Sequence, residues 1–391
     1  MTAIIAPQKP IKQAHTTVQV QQEAFKRALS TIMRAVPSKP VMPVLGSVLL
    51  RAQPGCLVLE ATNLTWSLTM KIEATVDNIG VIAAPGKLLT DFVSTLPREA
   101  IEIEIDEGTQ KISMRCGSCR ATICGVDVDE YPTLGDVREQ PTVTFQSAAL
   151  SAAIQQVAIA VATTAVKPVL AGIHIKLEDT TAQFSACDRF SLAVKTVALA
   201  HPVAAPAEVI IAGEPLVELG RLLATTDAQE VTMTIAQHGS HVAFRTASAE
   251  LITRVIDGTF PAVHRLIPTD WKTRAVVQRA LFHQAVKQAQ LFASYQANAV
   301  KLIFDLDAAR LCLTANGGEI GTNRAEVDGT VNGDASHIAL SVKFLAEALT
   351  SVVSTDVIIE MRTSQLPAVV RPVDDHSLVI VIMPMDIKEA A

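Results

Sequence analysis

Three cysteines stand close together within the first third of the chain, where they could bind a metal ion or supply a nucleophile. Cys116, Cys119 and Cys124 form a C-x2-C-x4-C pattern, and zinc favours cysteine thiolates as ligands. A structural zinc ion normally has four ligands, and no fourth Cys or His lies nearby in the sequence. The pattern therefore does not predict a metal site, and the expected role of these small residues is in a pair of strands.

Two further segments approach catalytic motifs without completing them. CGSCR (residues 116–120) resembles the segment around the nucleophile of papain-like proteases, with His264 downstream, but Arg120 replaces the aromatic residue. APGKLL (residues 84–89) resembles a phosphate-binding loop, but the first glycine is missing and Leu88 replaces the Ser or Thr that would hold magnesium. Since no G-x-G-x-x-G, G-x-S-x-G or H-E-x-x-H motif occurs, we expect a protein that is not an enzyme and has no cofactor or metal.

The elements that would position these residues recur three times along the chain. Each repeat contains an apolar stripe with the spacing i, i+4, i+7, i+11, which follows one face of an α-helix. The stripes are Phe25, Leu29, Ile32 and Val36; Leu150, Ile154, Val157 and Val161; and Phe282, Val286, Ala289 and Ala293. A second helix in each repeat is indicated by Leu88 and Phe92, by Leu216 and Gly220, and by Phe344 and Ala348. A period of about 130 residues indicates duplicated domains and not solenoid units.

Strands with alternating apolar residues complete each repeat. They follow the second helix at Ile101, Ile103 and Ile105, at Val231, Met233 and Ile235, and at Val357, Ile359 and Met361. Each repeat ends on an apolar residue before proline, at Tyr131–Pro132, Phe260–Pro261 and Met383–Pro384. We therefore predict an α+β fold with three tandem copies of a domain that has a sheet and two helices. The predicted domains are residues 18–139, 140–268 and 269–391, after a flexible tail of residues 1–17.

Positive charge collects on the polar faces of the predicted helices, although the formal net charge is −6. These faces hold Lys26, Arg27 and Arg34 in the first repeat and Arg279, His283 and Lys287 in the third, while Gln155 and Gln156 make the middle one nearly neutral. Acidic residues gather in strands and turns such as IEIEIDEG and GVDVDEYP. On any single helix such cations are ordinary solvated charges, but their place in a threefold repeat of domains favours a surface that faces nucleic acid.

The composition and the N-terminal segment indicate the cellular compartment in which the protein works. Hydrophobic residues make up 49% of the chain and aromatic residues only 4%, which is typical of small aliphatic cores between sheets and helices. The chain has six cysteines and no N-terminal apolar segment of the secretory type, which is the pattern of reduced cytosolic thiols. We therefore expect a cytoplasmic protein without membrane spans.

Four segments carry a resemblance to a known family. They are SKPVMPVLGSVLL after the first helix, KPVLAGIHI at the same place in the second repeat, FPAVHRLIP at the second boundary, and the terminal VIMPM. In order and spacing the chain resembles the bacterial beta sliding clamp, the beta subunit of DNA polymerase III, along nearly all of its length. The resemblance implies a homodimeric ring with helices lining the pore, which encircles double-stranded DNA without sequence specificity and acts as a processivity factor in DNA replication.

The resemblance also implies two sets of functional residues. DNA contact is expected at Lys39, Thr164, Lys167 and Pro168, and the facing direction of the first helix adds Lys26, Arg27 and Arg34. A hydrophobic groove for short linear peptides of polymerase subunits, the clamp loader and repair proteins is expected at Leu170, Gly172, Leu192, Pro261, Arg265, Leu266, Val381, Ile382, Met383, Pro384 and Met385. For Val381 a place in the core of a final strand is an equal alternative, because alternate strand residues must face inwards.

The chain departs from the family at two places. CDRFSLA (residues 187–193) has Arg189, Phe190 and Ser191 where the family has a glycine, a histidine and an arginine, so an altered peptide preference is expected. In ATNLTWSL, Asn63 stands where the family has an aspartate. The alternative function is a protein-interaction scaffold of duplicated domains that does not act on DNA.

Overall fold

The computed structural model describes residues 15–132, 134–135, 137, 142–164, 167–295 and 297–386. Most of the predicted N-terminal tail and the predicted boundary between residues 139 and 140 lie outside the described residues. Strand β1 (Thr16–Gln21) begins two residues before the predicted start of the first domain, and its Thr16 is buried.

Six α-helices occur among the described residues, two in each repeat. They are α1 (Gln22–Ile32), α2 (Gly86–Thr95), α3 (Ser147–Ala158), α4 (Gly213–Thr225), α5 (Arg279–Ala293) and α6 (Val342–Ser351). The predicted stripes form their buried faces, as at Phe25 and Leu29 on α1 and Phe282 and Val286 on α5. Val36 and Val161 lie beyond the ends of α1 and α3.

Helix α2 contains Leu88 and Phe92, which indicated it, but Leu88 does not lie on its buried face. Its buried residues include Leu89 and Val93, whereas Leu88 is 54% exposed. The helix starts at Gly86, where a Cβ atom would lie 2.7 Å from Met33 Sδ. A larger residue at this position would therefore displace the Met33 side chain.

The strands account for most of the remaining described chain. After β1, those of the first repeat are β2 (Ser47–Gln53), β3 (Cys56–Thr62), β4 (Trp66–Glu73), β5 (Thr75–Val76), β6 (Gly80–Pro85), β7 (Ala100–Asp106), β8 (Lys111–Cys116) and β9 (Cys119–Cys124). Those of the second are β10 (Val143–Gln146), β11 (Gly172–Glu178), β12 (Thr181–Cys187), β13 (Ser191–Ala198), β14 (Ala207–Ala212), β15 (Glu230–Ile235), β16 (His241–Arg245) and β17 (Ala249–Arg254). Those of the third are β18 (Thr273–Gln278), β19 (Ala299–Asp305), β20 (Arg310–Asn316), β21 (Thr322–Gly333), β22 (Ser336–Ser341), β23 (Asp356–Met361), β24 (Ala368–Pro372) and β25 (Leu378–Ile382).

The chain divides into two compact units, the first formed by residues 1–141 and 231–254. Its sheets have the strand orders β5-β1-β7-β8-β9 and β15-β16-β17-β4-β3-β2-β6. Ile101, Ile103 and Ile105 of β7 are fully buried, while Glu102 and Glu104 alternate with them, as the predicted strand requires. The β8–β9 hairpin places Cys116 opposite Cys119, and Cys116 is buried while Cys119 and Cys124 are exposed.

The second unit, residues 142–230 and 255–391, contains one long antiparallel sheet. Its strand order is β14-β11-β12-β13-β25-β24-β23-β18-β21-β20-β19-β22. The final strand β25 pairs with β13, so the sheet of the middle repeat continues into that of the third. Helix α3 packs on α4, and α5 packs on α6. No helix in the described part of the chain is long and apolar enough to cross a membrane.

Candidate functional site

A cleft of about 760 Å³ opens above the seam between β13 and β25. Leu192 on β13 lies directly opposite Val381 on β25, and these side chains are 3% and 4% exposed. Both belong to a buried apolar cluster that also includes Phe260 and Val263. Antiparallel pairing therefore gives the cleft an aliphatic floor made by two strands that are far apart in the sequence.

Three loops form the walls of the cleft. One is the segment 264–270, in which Leu266 is 50% exposed. The second is the 188–191 turn between β12 and β13, and the third is the loop between β23 and β24, with Arg362, Leu366 and Pro367. Met383, 42% exposed, stands at the rim just after β25. A flexible thioether at the rim can adapt to apolar side chains of different shape.

The 188–191 turn is held by the carboxylate of Asp188. Its Oδ1 accepts hydrogen bonds from the backbone N–H groups of Phe190 and Ser191, at 2.7 and 2.6 Å, and from Ser191 Oγ at 3.1 Å. The carbonyl oxygen of Phe190 accepts a hydrogen bond from Met383 N at 2.8 Å. The turn is therefore rigid and is tied to the last strand.

Phe190 projects from this rigid turn between two cavities. Its ring is 50% exposed and stacks on Phe344 of α6, with centroids 6.2 Å apart and an interplanar angle of 26°. The Arg189 guanidinium lies 5.4 Å from the centroid of the Phe190 ring. Phe190 lines both the main cleft and a neighbouring cavity of about 310 Å³. It therefore forms an apolar partition within the site.

Some of the residues predicted for the peptide-binding groove line this cleft, and others do not. Leu192, Arg265, Leu266, Val381 and Met383 line it, and Leu170 lines the neighbouring cavity. Gly172, Pro261, Ile382, Pro384 and Met385 are not among the described residues that line either. Ile382 is fully buried next to Val381, and adjacent strand residues point to opposite faces. Pro384 and Met385 pair instead with Leu340 and Ala339.

Several lining residues were missed in the sequence analysis. They are His264, Ile267, Pro268, Thr269, Asp270, Arg362, Leu366 and Pro367. The first five directly neighbour Arg265 and Leu266 in FPAVHRLIP and its continuation, so proximity in the chain could have indicated them. The other three lie in the β23–β24 loop, and no local pattern points to them.

Burial shifts the pKa values of two groups, one within the apolar cluster beneath the cleft and one stacked on it. Burial raises the pKa of Cys187 to about 11, and Asp188 adds to this, so the thiol stays protonated at neutral pH. Burial also lowers the pKa of His174, although Glu208 opposes the shift. The His174 ring stacks on Phe260, with centroids 5.0 Å apart. Both shifts favour the uncharged form of the group.

The predicted DNA-contact residues lie at the surface of their own elements. Lys26 and Arg27 are exposed on α1, and Arg34 and Lys39 are exposed in the residues that follow it. Thr164, Lys167 and Pro168 are also exposed. Thr164 and Lys167 line the neighbouring cavity that Phe190 borders.

Two expectations about the helix faces were wrong. Gln156 is buried and donates a hydrogen bond from Nε2 to Ser351 O at the end of α6, at 3.3 Å. Arg279 is half-buried and donates to Ser354 O at 3.1 Å and to Leu349 O at 3.4 Å. Both side chains donate hydrogen bonds to carbonyl groups near the C-terminal end of a neighbouring helix. Carbonyl oxygens there lack partners within the helix, and the helix dipole is negative at this end, so donors are favoured.

Three domain models of one family match the chain in order. The N-terminal domain of the DNA polymerase III beta subunit matches residues 16–135, the central domain residues 144–262, and the C-terminal domain residues 264–386. The chain belongs to the DNA polymerase III beta subunit family.

Relatives and solved structures of this family resemble the chain over nearly its whole length. The beta sliding clamp of Synechococcus elongatus is 29% identical over 371 residues, which cover 94% of this chain and 98% of the relative. The solved sliding clamp of Bacillus subtilis has a TM-score of 0.88 and 25% identity, with 96% of this chain and 100% of that chain covered. The Pseudomonas aeruginosa sliding clamp bound to griselimycin has a TM-score of 0.87 and 24% identity, with the same coverage. The predicted fold of three clamp domains and the predicted DNA sliding clamp function are confirmed.

Proposed function

We propose that this clamp works as a homodimeric ring in the cytoplasm, encircles double-stranded DNA and tethers partner proteins without catalysing a reaction. The family membership supports the ring. The six helices in the described part of each chain would make twelve in a dimer, and at interaxial distances of about 8–10 Å they would form a circle about 30–40 Å across. Such a circle has room for a duplex and a layer of water. The predicted domain boundaries at residues 139/140 and 268/269 belong to this proposal.

Attachment to DNA in this proposal is mechanical. A closed ring needs no base-specific contact, and strong binding to phosphate would slow its movement. Exposed cations such as Lys26, Arg27, Lys39 and Lys167 would make diffuse contacts to phosphate that salt and water screen. Arg34, Thr164 and Pro168 complete the proposed DNA-contact set.

Partner recognition in this proposal takes place in the cleft over Leu192 and Val381. The aliphatic floor, the mobile side chain of Met383 and the exposed Leu266 offer apolar surface to a short extended peptide. Arg265 at the wall adds a cation. Peptides of polymerase subunits, the clamp loader and repair proteins are the proposed ligands.

The ring proposal is tested by retention on DNA of defined topology. The purified protein is loaded on nicked circular plasmid by a clamp loader from a related bacterium, and retention is measured by gel filtration in about 0.5 M salt, at which phosphate contacts are strongly screened. We expect retention on the circle and loss after linearisation. Equal loss from both forms would contradict enclosure, and it would favour the alternative of a scaffold that does not act on DNA.

The groove proposal is tested by changes at the end of the chain. Removal of residues 383–391, and separately Met383→Glu, should abolish binding of a fluorescein-labelled apolar peptide, because both changes remove the apolar rim at the cleft. Met383 is 42% exposed, so the point variant should keep the mass and circular dichroism of the unaltered protein. Unchanged peptide affinity in Met383→Glu would count against the cleft as the binding site.

A further inference from the structure

A polar cavity of about 160 Å³ adjoins the cleft on the side of the third repeat. It lies between the segment 268–271, the end of β23 and the strand β24. Pro268, Thr269, Asp270, Arg362 and Pro367 line both this cavity and the cleft. A peptide in the cleft would therefore have its flanking residue at the entrance of the polar cavity.

Two guanidinium groups, of Arg362 and Arg371, and two carboxylates, of Asp270 and Glu360, line the cavity, and a third guanidinium, of Arg274, pairs with Glu360. The buried Glu360 on β23 faces Arg371 Nη2 at 3.0 Å and Arg274 Nη1 at 3.7 Å, and its side chain is only 8% exposed. At the wall shared with the cleft, Arg362 faces Asp270 at 3.4 Å. This cluster of three arginines and two acids has one positive charge in excess. Arg274 and Arg371 are 33% and 29% exposed, so solvent screens their charge less than at the open surface.

One donor of this cluster has no partner among the residues that the structure describes. Nε of Arg371 is buried and makes no hydrogen bond, and a buried donor without an acceptor is unfavourable. The Arg274 guanidinium is held 5.9 Å from the ring centroid of Trp271, which itself lines the cavity. The cluster thus presents several planar guanidinium groups, and one of their donors, Arg371 Nε, has no acceptor within the described part of the chain.

We propose that this arginine pocket, formed by Arg274, Glu360, Arg362 and Arg371, binds the carboxylate of an acidic residue that flanks the apolar part of a bound peptide. The proposal rests on the proposed peptide-binding function of the cleft. A single carboxylate supplies one negative charge and two coplanar oxygens, which match the surplus charge and the fork of a guanidinium. The small volume and the continuity with the cleft favour this side chain over a larger free dianion.

The test compares matched peptides. The probe is the tightest binder among synthetic fluorescein-labelled apolar pentapeptides, extended at either end by Glu or by Gln. In fluorescence anisotropy, one of the two Glu extensions should bind about 3- to 10-fold more tightly than its Gln counterpart, as a charge-assisted hydrogen bond allows. Arg371→Gln should remove this preference and leave the affinity for the Gln peptide unchanged.

Two further variants keep the test decisive. Arg371→Lys keeps the charge but lacks the planar fork, so it should retain only part of the preference. Arg362→Gln, at a side chain that is 49% exposed, reports on the pocket if Arg371→Gln fails to fold. Arg324→Gln on β21 is the control, because Arg324 lines neither cavity and pairs with Glu326; it should leave the preference intact.

The outcomes separate the two proposals. Equal binding of Glu and Gln peptides at both ends, or a preference that survives Arg371→Gln, would overturn the arginine pocket while the cleft stands. If none of the pentapeptides binds the unaltered protein at all, the proposed cleft fails, and the pocket fails with it.

Discussion

In each repeat, one side-chain oxygen atom accepts backbone hydrogen bonds that fix a turn, and the turn of the second repeat lies at the cleft. Asp188 Oδ1 accepts from the N–H groups of Phe190 and Ser191, and Asn63 Oδ1 accepts from those of Thr65 and Trp66 at 3.0 Å. In the third repeat Asn316 Oδ1 accepts from Gly318 N at 2.8 Å. An amide oxygen can accept the same pair of backbone hydrogen bonds as a carboxylate oxygen. The departure at Asn63 therefore preserves the turn.

Phe190 is the residue of this turn whose identity should matter for peptide binding. Phe190→Ala should weaken binding of an apolar peptide about 3- to 10-fold, because an aromatic wall of the cleft and its stack on Phe344 are lost. Since Phe190 is half exposed and its backbone is held by Asp188, the midpoint of thermal unfolding should change little. Isothermal titration calorimetry and differential scanning calorimetry measure the two effects.

Val353→Ala is the matched control for Phe190→Ala. Val353 is 80% exposed and lines neither the cleft nor the neighbouring cavity, so its truncation should not change peptide affinity. An affinity that is the same in Phe190→Ala and in the unaltered protein would show that the ring is only a surface feature.

At the scale of elements, β25 is fastened to β13 by an ion pair next to the floor of the cleft. Lys195 on β13, with a side chain only 13% exposed, pairs with Asp375 in the turn before β25. Asp375 also accepts a hydrogen bond from Ser377 N at 2.9 Å, and Ser377 O accepts one from Thr196 N at 2.9 Å. The turn and the strand pair therefore support each other.

Asp375→Asn should lower the free energy of unfolding at neutral pH by about 1–2 kcal/mol, a value kept small because the carboxylate is 39% exposed. Burial acts to raise the pKa of Asp375, but hydrogen bonds from Lys195 and Ser377 outweigh it and hold the pKa below the usual 3.8. A carboxylate with a lowered folded-state pKa stabilises the fold above its unfolded pKa and loses this contribution as pH falls through the folded value. The difference between the two proteins, measured by urea denaturation, should therefore shrink below about pH 4.

Asp374→Asn serves as the control for Asp375→Asn, because Asp374 is exposed and adjacent in the chain. It should change the free energy of unfolding by less than about 0.5 kcal/mol, as surface substitutions usually do. A difference between Asp375→Asn and the unaltered protein that stays constant from neutral to acidic pH would mean that the ion pair does not contribute.

The elements were easier to predict than the site, for a physical reason. Helix faces depend on spacing within one segment, so Phe25, Leu29 and Phe282 could be assigned to the core from the sequence. Gln156 was predicted to face solvent, because nothing local shows that α6 ends beside it. The pairing of Leu192 with Val381 depends on strand order and register over a long chain separation. The family resemblance placed both residues in one groove, but it did not give their pairing.

At the scale of the whole molecule, the net charge does not show where the positive and negative side chains lie. The formal net charge is −6, yet Lys26 and Arg27 are exposed on α1, while acids such as Glu102 pair with strand cations, here Arg115 at 2.9 Å. A few exposed cations on an acidic protein would hold DNA weakly at physiological salt. In the proposed ring, durable attachment comes from enclosure of the duplex by two copies of the chain.

The surface that joins two copies should include the end of α5, where large apolar side chains face solvent. Leu291 and Tyr295, one helical turn apart, are 68% and 66% exposed, and exposed apolar patches of this kind mark association surfaces. Leu291→Asp combined with Tyr295→Asp should therefore halve the mass in analytical ultracentrifugation to that of the 41.7 kDa chain. The monomer should still bind an apolar peptide in the cleft but should no longer be retained on circular DNA, because an open chain cannot enclose a duplex. The control is Val353→Asp, at a valine that is 80% exposed, and it should leave the dimer intact. If the variant with both Leu291→Asp and Tyr295→Asp remains dimeric, the contact between copies lies elsewhere.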